Sequence, residues 1–434
     1  MEFIEGLKGL TFQQKRILTE QAQDLILWGG VRIEDLWPSD YNPENKAQAT
    51  RVFNTVMAEI DAMRRSPADY STTAFSSCEA PSSRRTVIEP DFKAPETIMG
   101  RCPCPDESLF LRCCNLKTLD AVQQCAFACS YCSIKNFYSD TTIKVVSDLE
   151  GKLENLEVPQ GVWHIGTGQS SDSLLLGNDY GTITALSRFA EKHPDIIIEL
   201  KTKSSRTDWL KADIPANIVA TWSLNAEPVV NNEEHFTAPL SARIKAASVC
   251  VSAGRAVGFH VHPMVRYKGW EGGYRDLVRL LCDSIDPSHV VMVGIGTLTF
   301  TKSNLRTLRS SGAHTKVTQM PLESIAGKFS YPFEMKKEMF GTLYSFFPQD
   351  WKDSVFFYLC MEDPALWEPC LGRSYASNAD FEADMKKHYF SKLRSISEKQ
   401  DRNIDGKKRK LHFPSRFLDG NLNLLDFPSM FGLR

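Results

Sequence analysis

Thr118-Leu-Asp-Ala-Val-Gln-Gln-Cys125-Ala-Phe-Ala-Cys129-Ser-Tyr-Cys132 runs a short strand-like stretch into a loop that holds three cysteines. An iron–sulfur cubane ordinarily takes four cysteine ligands. The spacing C-x3-C-x2-C offers three from one loop, so one iron would stay open for a ligand, and therefore for chemistry. Zinc sites favour paired C-x2-C units, and this run contains one such pair. On spacing alone, a zinc site and three buried thiols remain alternatives.

The pattern around that loop repeats downstream. Short β-branched runs at Thr118–Val122, Val162–Ile165, Ile196–Leu200, Ile218–Ser223, Val257–His262 and Val290–Gly294 alternate with helical stretches at Thr182–Lys192, Leu240–Ser252 and Tyr274–Ser284. Strands alternating with helices predict a parallel sheet. Six such units predict an α/β fold of the partial (β/α)6, TIM-like barrel type, open rather than closed by eight units. Ligands of barrels sit at the C-terminal strand ends. The polar residues expected there are the cysteine loop, Gly166-Thr-Gly-Gln-Ser-Ser-Asp172, Lys201-Thr-Lys203, Trp222-Ser223-Leu-Asn225 and His260-Val-His262-Pro263. Gly166 and Gly168 would let backbone approach a ligand closely. Asp172 and Lys203 would pair with the amino and carboxylate groups of an amino-acid moiety.

The cysteine run, with Tyr131 just before its last member, resembles the motif of radical S-adenosylmethionine enzymes. Within that superfamily the chain resembles the spore photoproduct lyases. The residues that carry this are Cys113-Cys114, Cys125/Cys129/Cys132, Ser171-Asp172, Thr202-Lys203, Trp222-Ser223-Leu-Asn225, Gly258-Phe259 with Pro263, and Gly269-Trp270-Glu271 with Tyr274. The resemblance covers roughly residues 100–295, is weaker over 320–370, including Tyr358-Leu-Cys-Met-Glu362, and is absent from 1–90. It implies a [4Fe–4S] cluster on Cys125, Cys129 and Cys132, and S-adenosylmethionine bound by Ser171, Asp172, Lys203 and Ser223. It further implies a 5′-deoxyadenosyl radical acting on damaged pyrimidines in DNA, and a reduced flavodoxin- or ferredoxin-type electron donor. Tyr131 is the candidate catalytic residue. In the lyases a cysteine just before Thr-Ser-Asp returns a hydrogen atom to the substrate. Gln169 stands there in this chain, and Ser133 replaces a tyrosine after the last cluster cysteine. A radical enzyme acting on a small molecule, peptide or RNA is therefore an alternative, and a non-catalytic iron–sulfur protein is a second.

The flanks carry less. Thr11-Phe-Gln-Gln14 is a capping-box pattern, followed at helical spacing by Phe12, Ile17, Leu18, Leu25 and Ile26. Gly29-Gly30 ends that helix, and Asn42-Pro43 is read as opening a second one with Val52, Phe53, Val56, Met57, Ile60 and Met63 on one face. The expected organisation is a helical extension over 1–66, a linker over 67–99, the barrel over 100–370 and a C-terminal region over 371–434 that is a candidate for touching substrate. Cys102, Cys104, Cys113 and Cys114 are candidates for a second metal or for family-specific packing. Arg306, Arg309 and Lys407-Lys408-Arg409-Lys410 are candidate phosphate contacts.

Composition bounds the rest. The 434 residues are 42% apolar and 24% charged, with a formal net charge of −2. That balance provides no global basic field for nucleic acid, while leaving a local groove open. The N-terminus lacks a signal-peptide pattern and no apolar run nears the ~20 residues of a membrane span. With twelve cysteines in a long chain, this reads as a reducing cytoplasmic compartment.

Overall fold

The computed structural model describes residues 2–42, 44–71, 87–94, 97–102, 111–136, 138, 142–325 and 327–403. Its centre is one curled sheet of eight strands: β1 (Met99–Arg101), β2 (Lys117–Leu119), β3 (His164–Thr167), β4 (Ile197–Thr202), β5 (Ile218–Ser223), β6 (Val257–Met264), β7 (Val290–Thr297) and β8 (Phe356–Leu359). The spatial order follows the chain from β1 at one edge to β8 at the other. β2 through β8 run parallel and β1 is antiparallel to β2. The six strands expected from sequence are neighbours in this sheet, joined by a seventh parallel strand and an antiparallel edge. β7 is buried at every position, as a strand covered on both faces should be.

Helices Thr182–Lys192, Leu240–Ser252 and Trp270–Ser284 fill the crossovers after β3, β5 and β6, while β4 reaches β5 through only a short 3-10 turn, Asp208–Lys211. The two sheet edges are stitched where Arg112 N donates to the Glu362 carbonyl at 2.9 Å. Below the strands, the long helix Asn378–Asn403 presents buried Phe381, Met385, Tyr389 and Leu393 to the core.

The N-terminal segment is helical and keeps its own small core. α1 (Phe12–Leu27) starts at the capping box of Thr11, whose hydroxyl accepts from Gln14 N at 3.2 Å while Gln14 accepts from Thr11 N at 2.9 Å. α2 (Lys46–Arg65) starts later than Asn42-Pro43 suggests. Asn45 is its cap, accepting from Gln48 N, and Pro43 lies outside the described residues. Leu18, Leu25, Trp28, Ile33, Val56 and Ile60 are buried together, each large aliphatic burial contributing about 1.5–3 kcal/mol. Phe12 and Ile26 were expected on that face but stand in solvent, 83% and 55% exposed. Helix α3 (Lys302–Ser310) follows β7 and packs on α1.

Candidate functional site

The cysteine loop leaves the sheet just past β2, at the end where all the parallel strands finish. Cys125 and Cys129 are buried and Cys132 is partly buried. They sit in a small apolar cluster of their own with Phe127, Ile143 and Leu175, apart from the main core. Burial pushes the Cys125 thiol well above its ordinary value, with Asp172 and Cys132 adding to the effect. Burial pushes Cys129 up to about 12, against the opposing charge of Lys203. Thiols this reluctant to ionise need a positive centre to become thiolates. Among the described residues no group of three or more His, Cys, Asp or Glu is gathered tightly enough for a metal ion. The three thiols nonetheless lie within reach of each other's charge. A loose triangle of soft ligands suits a cluster that spreads its irons over the corners of a cube better than it suits one small ion.

Two of the expected ligands also brace the loops around them. Ser171 Oγ donates to the Gln124 carbonyl at 2.7 Å, immediately before Cys125. The Asp172 carboxylate accepts from Lys203 N at 2.6 Å, Thr202 Oγ1 at 2.7 Å and Leu174 N at 3.1 Å. Both are buried. They fasten the loop after β3 to the cysteine loop on one side and to the end of β4 on the other. The expected glycine cradle is also packing. A Cβ at Gly166 would meet Leu116 at 2.8 Å, and one at Gly168 would meet Ser173 Oγ at 2.8 Å and the Lys201 carbonyl at 2.9 Å. Gly168 takes φ +85°, which turns the chain toward the barrel.

Among the described residues, neither the Lys203 ammonium nor the Ser223 hydroxyl has a hydrogen-bond partner. Lys203 Nζ stands 5.8 Å from the centre of the Tyr131 ring. Burial opposes its charge, but Glu234 and Cys129 outweigh that and hold its pKa above the ordinary lysine value. Ser223 is partly buried, and its carbonyl accepts from Arg243 Nη1 at 2.9 Å.

Sequence reasoning missed the pair beneath them. Glu234 and Arg243 form an ion pair of 2.7 Å with almost no exposure. The Tyr131 hydroxyl donates to Glu234 Oε1, so the candidate catalytic tyrosine is tied to a buried carboxylate. Glu233 also went unnoticed. Its carbonyl accepts from Ser130 N at 2.8 Å, and its carboxylate accepts from Tyr70 Oη, Thr315 Oγ1 and Lys316 N. Both glutamates close a short helix, Glu227–Glu233, whose charges look merely solvated in the sequence.

Lys201 and the histidines lie within strands and face the barrel interior, not its rim. Glu199 pairs with His164 at 3.0 Å and His260 at 2.6 Å and accepts from Thr221 Oγ1 at 2.7 Å. Lys201 shares this interior with Cys102, Cys114 and Cys360, close enough to feel their charge. Gln169 reaches in and donates from Nε2 to Cys102 Sγ at 3.0 Å. Cys360 is thus a further member of the upstream cysteine group; Cys104 lies outside the described residues, as does the 407–410 basic run. Arg309 is not a free phosphate contact, since Asp24 and Glu20 hold its guanidinium.

Residues 170–331 match the family model described as spore photoproduct lyase. The chain is 36% identical over 98 residues to the spore photoproduct lyase of Bacillus subtilis (strain 168), covering 22% of this chain and 29% of that protein. It is 29% identical over 108 residues to that of Geobacillus sp. (strain Y412MC61), covering 25% and 28%. The matched stretch therefore spans under a third of these curated relatives. A solved spore photoproduct lyase complexed with dinucleoside spore photoproduct shares the fold, with a TM-score of 0.50 at 22% identity over 56% of this chain and 76% of that one. No helix among the described residues is long and apolar enough to cross a membrane. The chain is thus similar to the spore photoproduct lyases over residues 170–331, from the brace after β3 to the segment beyond α3.

Proposed function

We propose that this chain is a radical S-adenosylmethionine lyase acting on damaged pyrimidines in DNA. The observation that carries the reading is the juxtaposition of three thiols and one ammonium at a single barrel rim. Cys125, Cys129 and Cys132 would hold a [4Fe–4S] cluster, and Lys203 and Ser223 would bind S-adenosylmethionine. When bound, these groups supply a 5′-deoxyadenosyl radical. Ser171 and Asp172, the other two proposed S-adenosylmethionine contacts, also keep the cysteine loop and Lys203 in register. Glu234 can accept the phenolic proton of Tyr131 if that ring loses an electron. Cys102, the thiol that Gln169 touches, is the candidate for returning hydrogen to the product. A reduced flavodoxin- or ferredoxin-type protein would deliver the electron.

Gln169 favours a second reading, the same radical chemistry on a substrate that needs no hydrogen returned. The test uses anaerobically reconstituted full-length protein with reductant, S-adenosylmethionine and dinucleotide photoproduct. Thymine and 5′-deoxyadenosine together support the lyase. Abundant 5′-deoxyadenosine without thymine rejects the lyase and selects the second reading. Neither product would leave an iron–sulfur binding protein.

A further inference from the structure

The N-terminal helices precede the matched family segment, and nothing in the site above gives them a task. With α3 and the strand that follows it, α1 and α2 enclose a groove of about 600 Å³. Six basic side chains line it: Arg16, Arg64, Arg65, Lys302, Arg306 and Arg309. Arg64 and Arg309 are neutralised from below, Arg64 by Asp24 and Arg309 by both Asp24 and Glu20. Arg16, Arg65, Lys302 and Arg306 are exposed and have no hydrogen-bond or ion-pair partner among the described residues. Apart from Glu20, the lining carboxylates are Asp61 and Glu323. A chain with net charge −2 thus gathers four uncommitted cations in one concavity, where Asp61 and Glu323 offset only part of their positive field.

Three of the four are arginines. A guanidinium presents paired N–H donors that match two phosphate oxygens. Their position adds a direction. β7 ends at Thr297 and α3 begins at Lys302, so the groove opens from the end of the sheet where the cysteine loop and Lys203 also leave. We propose that this groove binds the phosphate backbone of the DNA strand flanking the reacting base. The inference rests on the reading above that the substrate is DNA.

The experiment measures binding of a short undamaged duplex to reconstituted full-length protein by fluorescence anisotropy across a salt series. It compares the parent with the Arg16→Ala/Arg65→Ala/Lys302→Ala/Arg306→Ala variant. All four positions are exposed, and an unchanged melting temperature confirms the fold. Duplex affinity is expected to fall roughly tenfold or more. The slope of log K against log salt should flatten by about 3 to 4 if each cation meets one phosphate. Binding of the isolated dinucleotide photoproduct, which has no flanking backbone, should not change. An unaltered slope, or polyglutamate bound as tightly as duplex, overturns the groove. If the dinucleotide neither binds nor reacts while duplex binding still depends on the four cations, the lesion reading fails and the groove stands.

Discussion

Lys203 carries a charge where burial opposes it, and the buried Glu234 carboxylate is the chief neighbour that keeps it there. Its ammonium is thus ready for a carboxylate without paying for a new partner's desolvation twice. Lys203→Ala should weaken S-adenosylmethionine binding by about 1.5–3 kcal/mol, the range of a charge-assisted hydrogen bond; isothermal titration on reconstituted protein measures it, and an unchanged dissociation constant removes Lys203 from the site. Cys129→Ala should strip most iron from anaerobically prepared protein, read by iron assay and visible absorbance, whereas a full cluster in that variant would point to ligands elsewhere. The place of the cysteine loop just past β2 was legible because it depends on local spacing after a short strand. The bracing roles of Ser171 and Asp172 were not, because their bonds reach Gln124 and Thr202, 47 and 30 positions away. Glu234 and Arg243 were illegible for a related reason: an ion pair looks solvated in a sequence until the fold buries both ends.

At the scale of elements, β4 and β6 carry a polar interior. His262 is pushed down to about 3, chiefly by burial, with His260 and the two lysines adding repulsion. Glu199 is held well below its usual range, because Lys201 and His260 outweigh the burial that would raise it. Both shifts have the same sign for stability. A histidine whose folded pKa lies below the unfolded value of about 6.5 contributes stability above that pH, and the contribution is lost as pH falls toward the folded value. Glu199 adds a loss at still lower pH. The urea midpoint should therefore drop as pH is lowered from 7.5 to 5, and His262→Gln should flatten that dependence; a midpoint independent of pH would contradict the buried neutral ring. Strand existence was legible from β-branched runs, but strand ends were not. β3 starts two residues after the predicted Val162, and β4, β6 and β7 extend past their predicted ends. Lys201, Thr202, His260 and His262 read as strand-end polar residues, yet all four lie within strands, where His260 meets Glu199 and Thr202 bonds Asp172. β8 was missed because Phe356-Phe-Tyr-Leu359 is a short apolar run without alternation, which periodicity cannot tell from buried helix.

Across the whole molecule, the N-terminal helices are held to the barrel by a few buried polar contacts. Asp24 is fully buried between Arg64 and Arg309, and Trp28 Nε1 donates to Thr318 Oγ1 at 2.9 Å. Asp24→Ala leaves two guanidinium groups without their shared anion, and should cost about 3–5 kcal/mol, seen as a lower or split thermal transition; a melt like the parent's would show that the contact is not needed for docking. No sequence pattern announces this arrangement, since Asp24 looks like one more polar position on an amphipathic helix. Glu233 joins the same interface to the cysteine loop, for its carbonyl holds Ser130 while its carboxylate holds Tyr70, Thr315 and Lys316. One residue thus pins two separate segments at once. Removing iron would release the loop on one side of the pin, and the slack would appear on the other as faster trypsin cleavage around Lys316. Loading of the proposed cluster should then be readable on a gel, as a change in the proteolytic pattern of a segment remote from the three cysteines.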